Sequence, residues 1–271
     1  MKSILIHADG DNGLAARLQS GFDLARAFDA HITCVQATPY DSFVVADPFG
    51  SVYALPELLR AADERKGTNR AAVEAKLRGE GLSWDWLEAT GAPEQALVAA
   101  SPLADLILVN LPGRAGEAAG RMMGIVGEVI VHGRTPLLAV PSSAGRFDPF
   151  APVVVAWNGA PEASTALRAA MPLLKKAREI HIVTVAEERP DGFPATQACQ
   201  YLGWHGLEPV LHELEVDAGG IAETLHGAAR ARGASCLVMG AYGHSRFREA
   251  IFGGVTRELL QQDELPLLLG R

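Results

Sequence analysis

The sequence has only three cysteines, Cys34, Cys199 and Cys236. Three scattered thiols cannot build a disulfide framework, and no pair of them has zinc-ligand spacing. Cys34 and Cys236 lie in apolar, strand-like runs, where a buried free thiol is the expected state. No apolar run approaches the ~20 residues of a membrane span. The start, "MKSILIHADGDNG", lacks the long apolar region and small-residue cleavage site of a signal peptide. Basic charge is not in excess either: the formal net charge is −8, which argues against general nucleic-acid binding. No Gly-Lys-Ser/Thr run of a phosphate-binding ATPase loop appears. Together these absences lead us to expect a cytoplasmic protein with neither a nucleic-acid nor a membrane partner.

Hydrophobic residues are abundant, at 48% of 271, enough for a substantial core. They are arranged twice. "ILIHADGD" (4–11) matches "VVVAWNGA" (153–160), and "HITCV" (31–35) matches "HIVTV" (181–185). "ADLILVNLPG" (104–113) matches "ASCLVMGAYG" (234–243), and "TPLLAV" (135–140) matches "LPLLLG" (265–270). The offset falls from about 150 to about 130, so the first copy carries roughly 20 extra residues, placed within 39–66. Two domains follow, 1–143 and 151–271, divided where Pro, Ser and Gly break the periodicity at 141–152.

Within each copy, short β-branched runs alternate with helical patterns at 13–28, 93–100, 160–177 and 219–233. Strand and helix in alternation give an α/β fold, with a mostly parallel, doubly wound sheet of about five strands per domain. Each copy ends in an apolar strand after a proline. Pairing these two edges antiparallel would make one chain imitate a dimer; the alternative is two separate beads on the linker.

Ligands of such sheets bind beyond the carboxyl ends of the strands. In the second copy those ends are Asn158, Val185 and Gly240. The last opens "GAYGHSRFREAIFGGVT", in which Gly240-x-x-Gly243 is followed after nine residues by Gly253-Gly254. Glycines between a strand and a helix start suit an anion held by backbone amides.

On these residues the chain resembles the universal stress protein family, as a tandem member. The resemblance implies that the loop wraps the phosphates of ATP or a related adenine nucleotide. Gly240, Gly243, Gly253 and Gly254 would supply backbone amides, and Val255 and Thr256 would open the following helix. Asn158 would lie near the nucleoside, Val185 would offer a backbone edge to adenine, and Met239 is counted with them among the binding residues. Two departures stand out. Asn158 replaces a frequent Asp, and Gly254 replaces Ser or Thr.

In the first copy Asp9 is retained. Asn110, Gly113, Met123, Gly124 and Val126 stand for Gly240, Gly243, Gly253, Gly254 and Thr256, and Pro112 removes an amide donor. A degenerate loop is expected there.

The remaining polar residues read plainly. His244, Arg246 and Arg248 suit a solvated basic loop. His205 and His212 suit a surface, with no cysteine partner for a metal. His31 and His181 are read as equivalent structural residues, and Trp84 and Trp86 as covering one sheet face. Ser164 and Thr165 lack a base partner, so no catalytic residue is assigned and at most slow ATP hydrolysis is expected. The reading is a nucleotide-binding sensor or protective module, with a magnesium ion and a further homodimer left open. Its rivals are a structural or interaction protein that does not bind nucleotide, and a slow nucleotide hydrolase.

Overall fold

The computed structural model describes residues 1–38, 44–46, 52–54, 56–113, 117–185, 192–241 and 254–271. The first half runs β1 (Ser3–His7), α1 (Leu14–Phe28), β2 (His31–Thr38), β3 (Val44–Ala46), β4 (Val52–Ala54), α2 (Pro56–Glu80), β5 (Trp84–Thr90), α3 (Pro93–Ala100), β6 (Leu106–Asn110), α4 (Glu117–His132) and β7 (Leu137–Val140). The second runs β8 (Val153–Ala156), α5 (Pro161–Leu174), β9 (Ile180–Val185), α6 (Ala195–Trp204), β10 (Pro209–Leu214), α7 (Gly220–Ala231), β11 (Cys236–Gly240), α8 (Gly254–Gln261) and β12 (Leu267–Gly270). Local sequence explains many of these limits. Pro93 and Pro161 begin α3 and α5 at the position where a missing N–H costs nothing. Asp29 ends α1 in the left-handed conformation (φ 50°), its amide bonded back to Ala25 O.

Ten strands form one sheet in the order β10-β9-β8-β11-β12-β7-β6-β1-β2-β5, and β3 and β4 form a separate antiparallel pair. Every neighbour in the large sheet is parallel except β7 and β12. Each half is thus a five-stranded, doubly wound sheet whose order reverses between its first and fourth strands. Helices α1, α2, α5 and α6 bury residues such as Phe22, Leu77, Leu167 and Leu202 on one face. Helices α3, α4, α7 and α8 bury Leu97, Ile125, Leu225 and Leu259 on the other. Two-sided burial is why β6 and β8 read as unbroken apolar runs.

The halves meet through their last strands. Leu268 pairs with Leu138, flanked by Leu267 with Ala139 and Leu269 with Leu137. The beads-on-a-linker alternative is therefore overturned. The connecting segment is also docked: Phe147 is buried, and its amide donates to the Asp23 carboxylate at 2.9 Å. Ser142 donates from its amide and its hydroxyl to the two Asp263 oxygens, both at 3.1 Å.

Two details of the repeat differ from the sequence alignment. The Ala8 amide donates to Val35 O, and the Trp157 amide to Val183 O. Val35 therefore corresponds to Val183, Ala37 to Val185, and His31 to Glu179. His31 and His181 are two residues out of step, because alternating apolar residues align almost as well after a shift of two. The extra length in the first half also reaches beyond 66. Residues 39–83 separate β2 from β5, against 186–208 between β9 and β10, and α2 has 25 residues where α6 has 10. Counting back from β5 and β10, the unmatched part ends near residue 70.

Trp84 and Trp86 do share one face of β5 and pack on the core. The guanidinium of Arg70 lies 5.7 Å from the Trp86 ring centroid.

Candidate functional site

A cavity of about 260 Å³ opens at the carboxyl ends of β8, β9 and β11, where the strand order of the second half reverses. Asn158, Val185, Met239, Gly240, Gly254, Val255 and Thr256 all line it. The two other residues assigned from the sequence, Gly243 and Gly253, lie outside the described residues, as do His244, Arg246 and Arg248. The sequence reading missed Trp157, Glu162, Ile221 and Leu225, which also line the wall, as do Ala156, Ala160, Ala163 and Val183. Ile221 and Leu225 were visible as an i, i+4 pair on α7, but nothing in the pattern said that this face meets a cavity as well as the core.

Strand geometry sets the donors. Ala241 N–H bonds Gly270 O and Leu237 N–H bonds Pro266 O, both on the β12 side. Alternation turns the Gly240 amide to the β8 side, past the last β11–β8 pair at Val238 and Val155. On β9, Val183 O faces β8 and accepts from Trp157, so the N–H and C=O of Val185 face the same way, beyond the end of β8. One donor and one acceptor thus stand together at the cavity edge. Asn158 turns its Oδ1 onto its own chain, accepting from Ala160 N–H at 3.1 Å. Trp157 is fixed by its indole N–H, which donates to Phe193 O at 2.8 Å. Helix α8 begins at Gly254, so its first amides and positive dipole end lie at the cavity.

Gly240 has a second reason to be glycine. A Cβ there would come within 2.5 Å of the Glu162 carbonyl carbon and 2.6 Å of the Ala163 nitrogen, at the start of α5. The first half solves the same contact in reverse. Asn110 keeps its side chain, and Gly13 at the start of α1 makes room for it.

In the first half, Asp9 and Asn110, the counterparts of Asn158 and Gly240, are tied to protein partners. Arg17 is fully buried, and its guanidinium donates to His7 O at 2.7 Å, Asp9 O at 2.9 Å, Asp11 Oδ1 at 3.0 Å and the Asn110 side-chain oxygen. Burial pushes its pKa down, and the carboxylates of Asp11 and Asp9 oppose this. Asp9 Oδ1 accepts from Ala37 N–H at 2.8 Å, so the amide equivalent to that of Val185 is already bonded. Asn69 of α2 reaches back to Ala8 O at 2.8 Å. Met123 and Gly124, read from the sequence as part of a degenerate loop, lie inside α4, which starts at Glu117.

The histidines also divide. His205 is exposed. His212 is not a bare surface residue: its Nε2 lies 3.1 Å from His181 Nδ1 and accepts from Arg232 Nε at 3.4 Å. Among the described residues no cluster of His, Cys, Asp and Glu could hold a metal ion, and no helix is long and apolar enough to cross a membrane.

The model of the universal stress protein family matches residues 1–141 and 205–271. The chain belongs to the universal stress protein family. A universal stress protein from Synechocystis sp. is 28% identical over 180 residues, which cover 62% of this chain and 58% of the relative. The match thus spans little more than half of that relative's length. Among solved structures, a universal stress protein from Archaeoglobus fulgidus superposes with a TM-score of 0.77 at 16% identity, covering 99% of this chain and 96% of that one. A protein of unknown function from Pseudomonas aeruginosa gives a TM-score of 0.58 at 15% identity, with 99% and 92% covered. At these identities the structures speak for the shared tandem fold alone.

Proposed function

We propose that this universal stress protein binds one adenine nucleotide, ATP or a relative of it, in its second half, and acts as a stress-responsive sensor or protective module in the cytoplasm. The observation that carries this reading is the cavity at the β8–β11 switch point, where seven residues assigned from the sequence converge. Its volume, about 260 Å³, falls just below the roughly 300 Å³ where small-molecule sites begin, which suits a nucleoside with its phosphates directed outward. The N–H and C=O of Val185 match the acceptor and donor that adenine shows on its pairing edge. Gly240 and the start of α8 offer amides to phosphate, and the sequence pattern assigns Gly243 and Gly253 to the same task. Residues 1–143 serve as a scaffold in this scheme, and 151–271 as the ligand-binding unit.

Calorimetric titration of the full chain with ATP tests the reading. One site per chain is expected. Val185→Pro removes one donor, which by strand alternation belongs to no bond with β10, and is expected to weaken ATP about tenfold. Gly243→Val is expected to block the phosphates. Heat at two equivalent sites per chain, or unchanged affinity in both folded variants, would overturn the proposal.

A further inference from the structure

Outside the nucleotide cavity, on the other side of the first turns of α5, lies a groove of about 400 Å³ between α5 and α6. Its walls are Trp157, Leu167, Phe193, Tyr201 and Trp204, with Arg168 among them. Phe193 and Trp204 are 58% and 75% exposed, unusual for side chains whose burial would remove so much apolar area from water. The walls are braced. The carbonyl of Phe193 accepts the Trp157 indole N–H, and Tyr201 stands edge-on to His205, with ring centroids 4.8 Å apart and planes at 69°.

The charge in this groove runs against the rest of the molecule. The chain is acidic overall, at −8, yet no described lining residue is acidic. Arg168 has no carboxylate partner among the described residues. Among the described residues its guanidinium donates to the Thr165 hydroxyl, at 3.3 Å, and that hydroxyl donates to Pro161 O. An exposed guanidinium in a groove that aromatic side chains also line suits a flat ring bearing a carboxylate: the ring would stack, and the fork would take both oxygens.

We propose that this groove is a second ligand site, for a small planar aromatic carboxylate. The volume accommodates one or two fused rings. A single guanidinium, with no second cation among the described lining residues, suits a singly charged group better than a doubly charged one. The site is separate from the nucleotide cavity, with Trp157 the one residue that the two linings have in common.

Two of the four tryptophans, Trp157 and Trp204, line the groove, so fluorescence of the full chain reports directly on it. The probe is 1-naphthoate, titrated beside its neutral analogue 1-naphthalenemethanol, with and without saturating ATP. Saturable binding of one naphthoate per chain is expected, at least tenfold tighter than the alcohol. Arg168→Gln, an exposed substitution, is expected to abolish that difference, and Trp204→Ala to weaken both probes. ATP is not expected to displace naphthoate, whether or not ATP itself binds, so failure of this site and failure of the nucleotide site read out separately. Absence of saturation at millimolar probe, equal affinity for acid and alcohol, unchanged naphthoate affinity in Arg168→Gln, or competitive displacement by ATP would each overturn the proposal.

Discussion

Leu138 and Leu268 face each other at the middle of the β7–β12 seam, and each is the other's counterpart in the repeat. Around them Leu137 meets Leu269 and Ala139 meets Leu267, so every residue pairs with the partner that a two-fold axis demands. The duplication has placed inside one chain the kind of contact that a symmetric dimer makes between two.

The seam sets a stability prediction. Leu268 is 1% exposed, so Leu268→Lys would bury an ammonium group with no acid opposite it. Destabilisation of roughly 3–5 kcal/mol is expected, measured as a shift in the urea midpoint. Amides in the paired segments 137–139 and 267–269 are expected to exchange with solvent only through global opening. Exchange at loop rates would show that the seam opens independently.

The seam and the two parallel, doubly wound sheets were legible in the sequence because buried parallel strands leave unbroken apolar runs, and the two copies check each other. What escaped was anything carried by a single polar side chain. Arg17 sits in an ordinary-looking amphipathic helix, and only the fold brings His7 O, Asp9 O and Asn110 around it. The helical start at Glu117 was hidden for a related reason: "GRAGEAAGRMMG" has glycines enough to read as a loop, yet Ala118, Ala119, Met122 and Met123 lie in α4. The two-residue slip between His31 and His181 arose because strand periodicity fixes a residue's face but not its position along the strand.

The second prediction concerns acid. His181 and His212 both have pKa values below the ordinary 6.5, first because burial penalises the charged ring and then because Arg232 lies close, with His181 adding to the effect on His212. Glu179, 3.3 Å from His181 Nε2, opposes the shift on His181. A lowered folded-state pKa means that the unfolded chain binds the proton more readily. The stabilisation is therefore complete above pH 6.5 and is lost as pH falls below that value toward the folded-state pKa. His212→Asn is expected to flatten the fall in urea midpoint between pH 7 and pH 5 relative to wild type. Parallel slopes for the two proteins would show that the pair does not titrate as its surroundings require.

The last prediction comes from the reciprocal glycines. At the end of β6, Asn110 carries a side chain and the facing helix start supplies Gly13. At the end of β11, Gly240 carries none and the facing helix start supplies Glu162 and Ala163. Each half has one side chain too few for two, so the two positions must be coupled. A Cβ on Gly13 would lie 2.0 Å from Asn110 Oδ1, and the asparagine cannot retreat freely because it accepts from Arg17 and donates to Val140 O at 3.2 Å. Gly13→Ala is therefore expected to cost about 1–3 kcal/mol as overpacking. Asn110→Gly is destabilising in its own right, since it strips one acceptor from a buried guanidinium. In the Asn110→Gly background, however, Gly13→Ala recreates the arrangement of the second half, and its cost is expected to vanish or reverse with the helix propensity of alanine. A double-mutant cycle in urea should return a coupling of about 1 kcal/mol or more. Additive costs would mean that α1 shifts to admit both side chains, and that the asymmetry of the two halves at this contact has no steric origin.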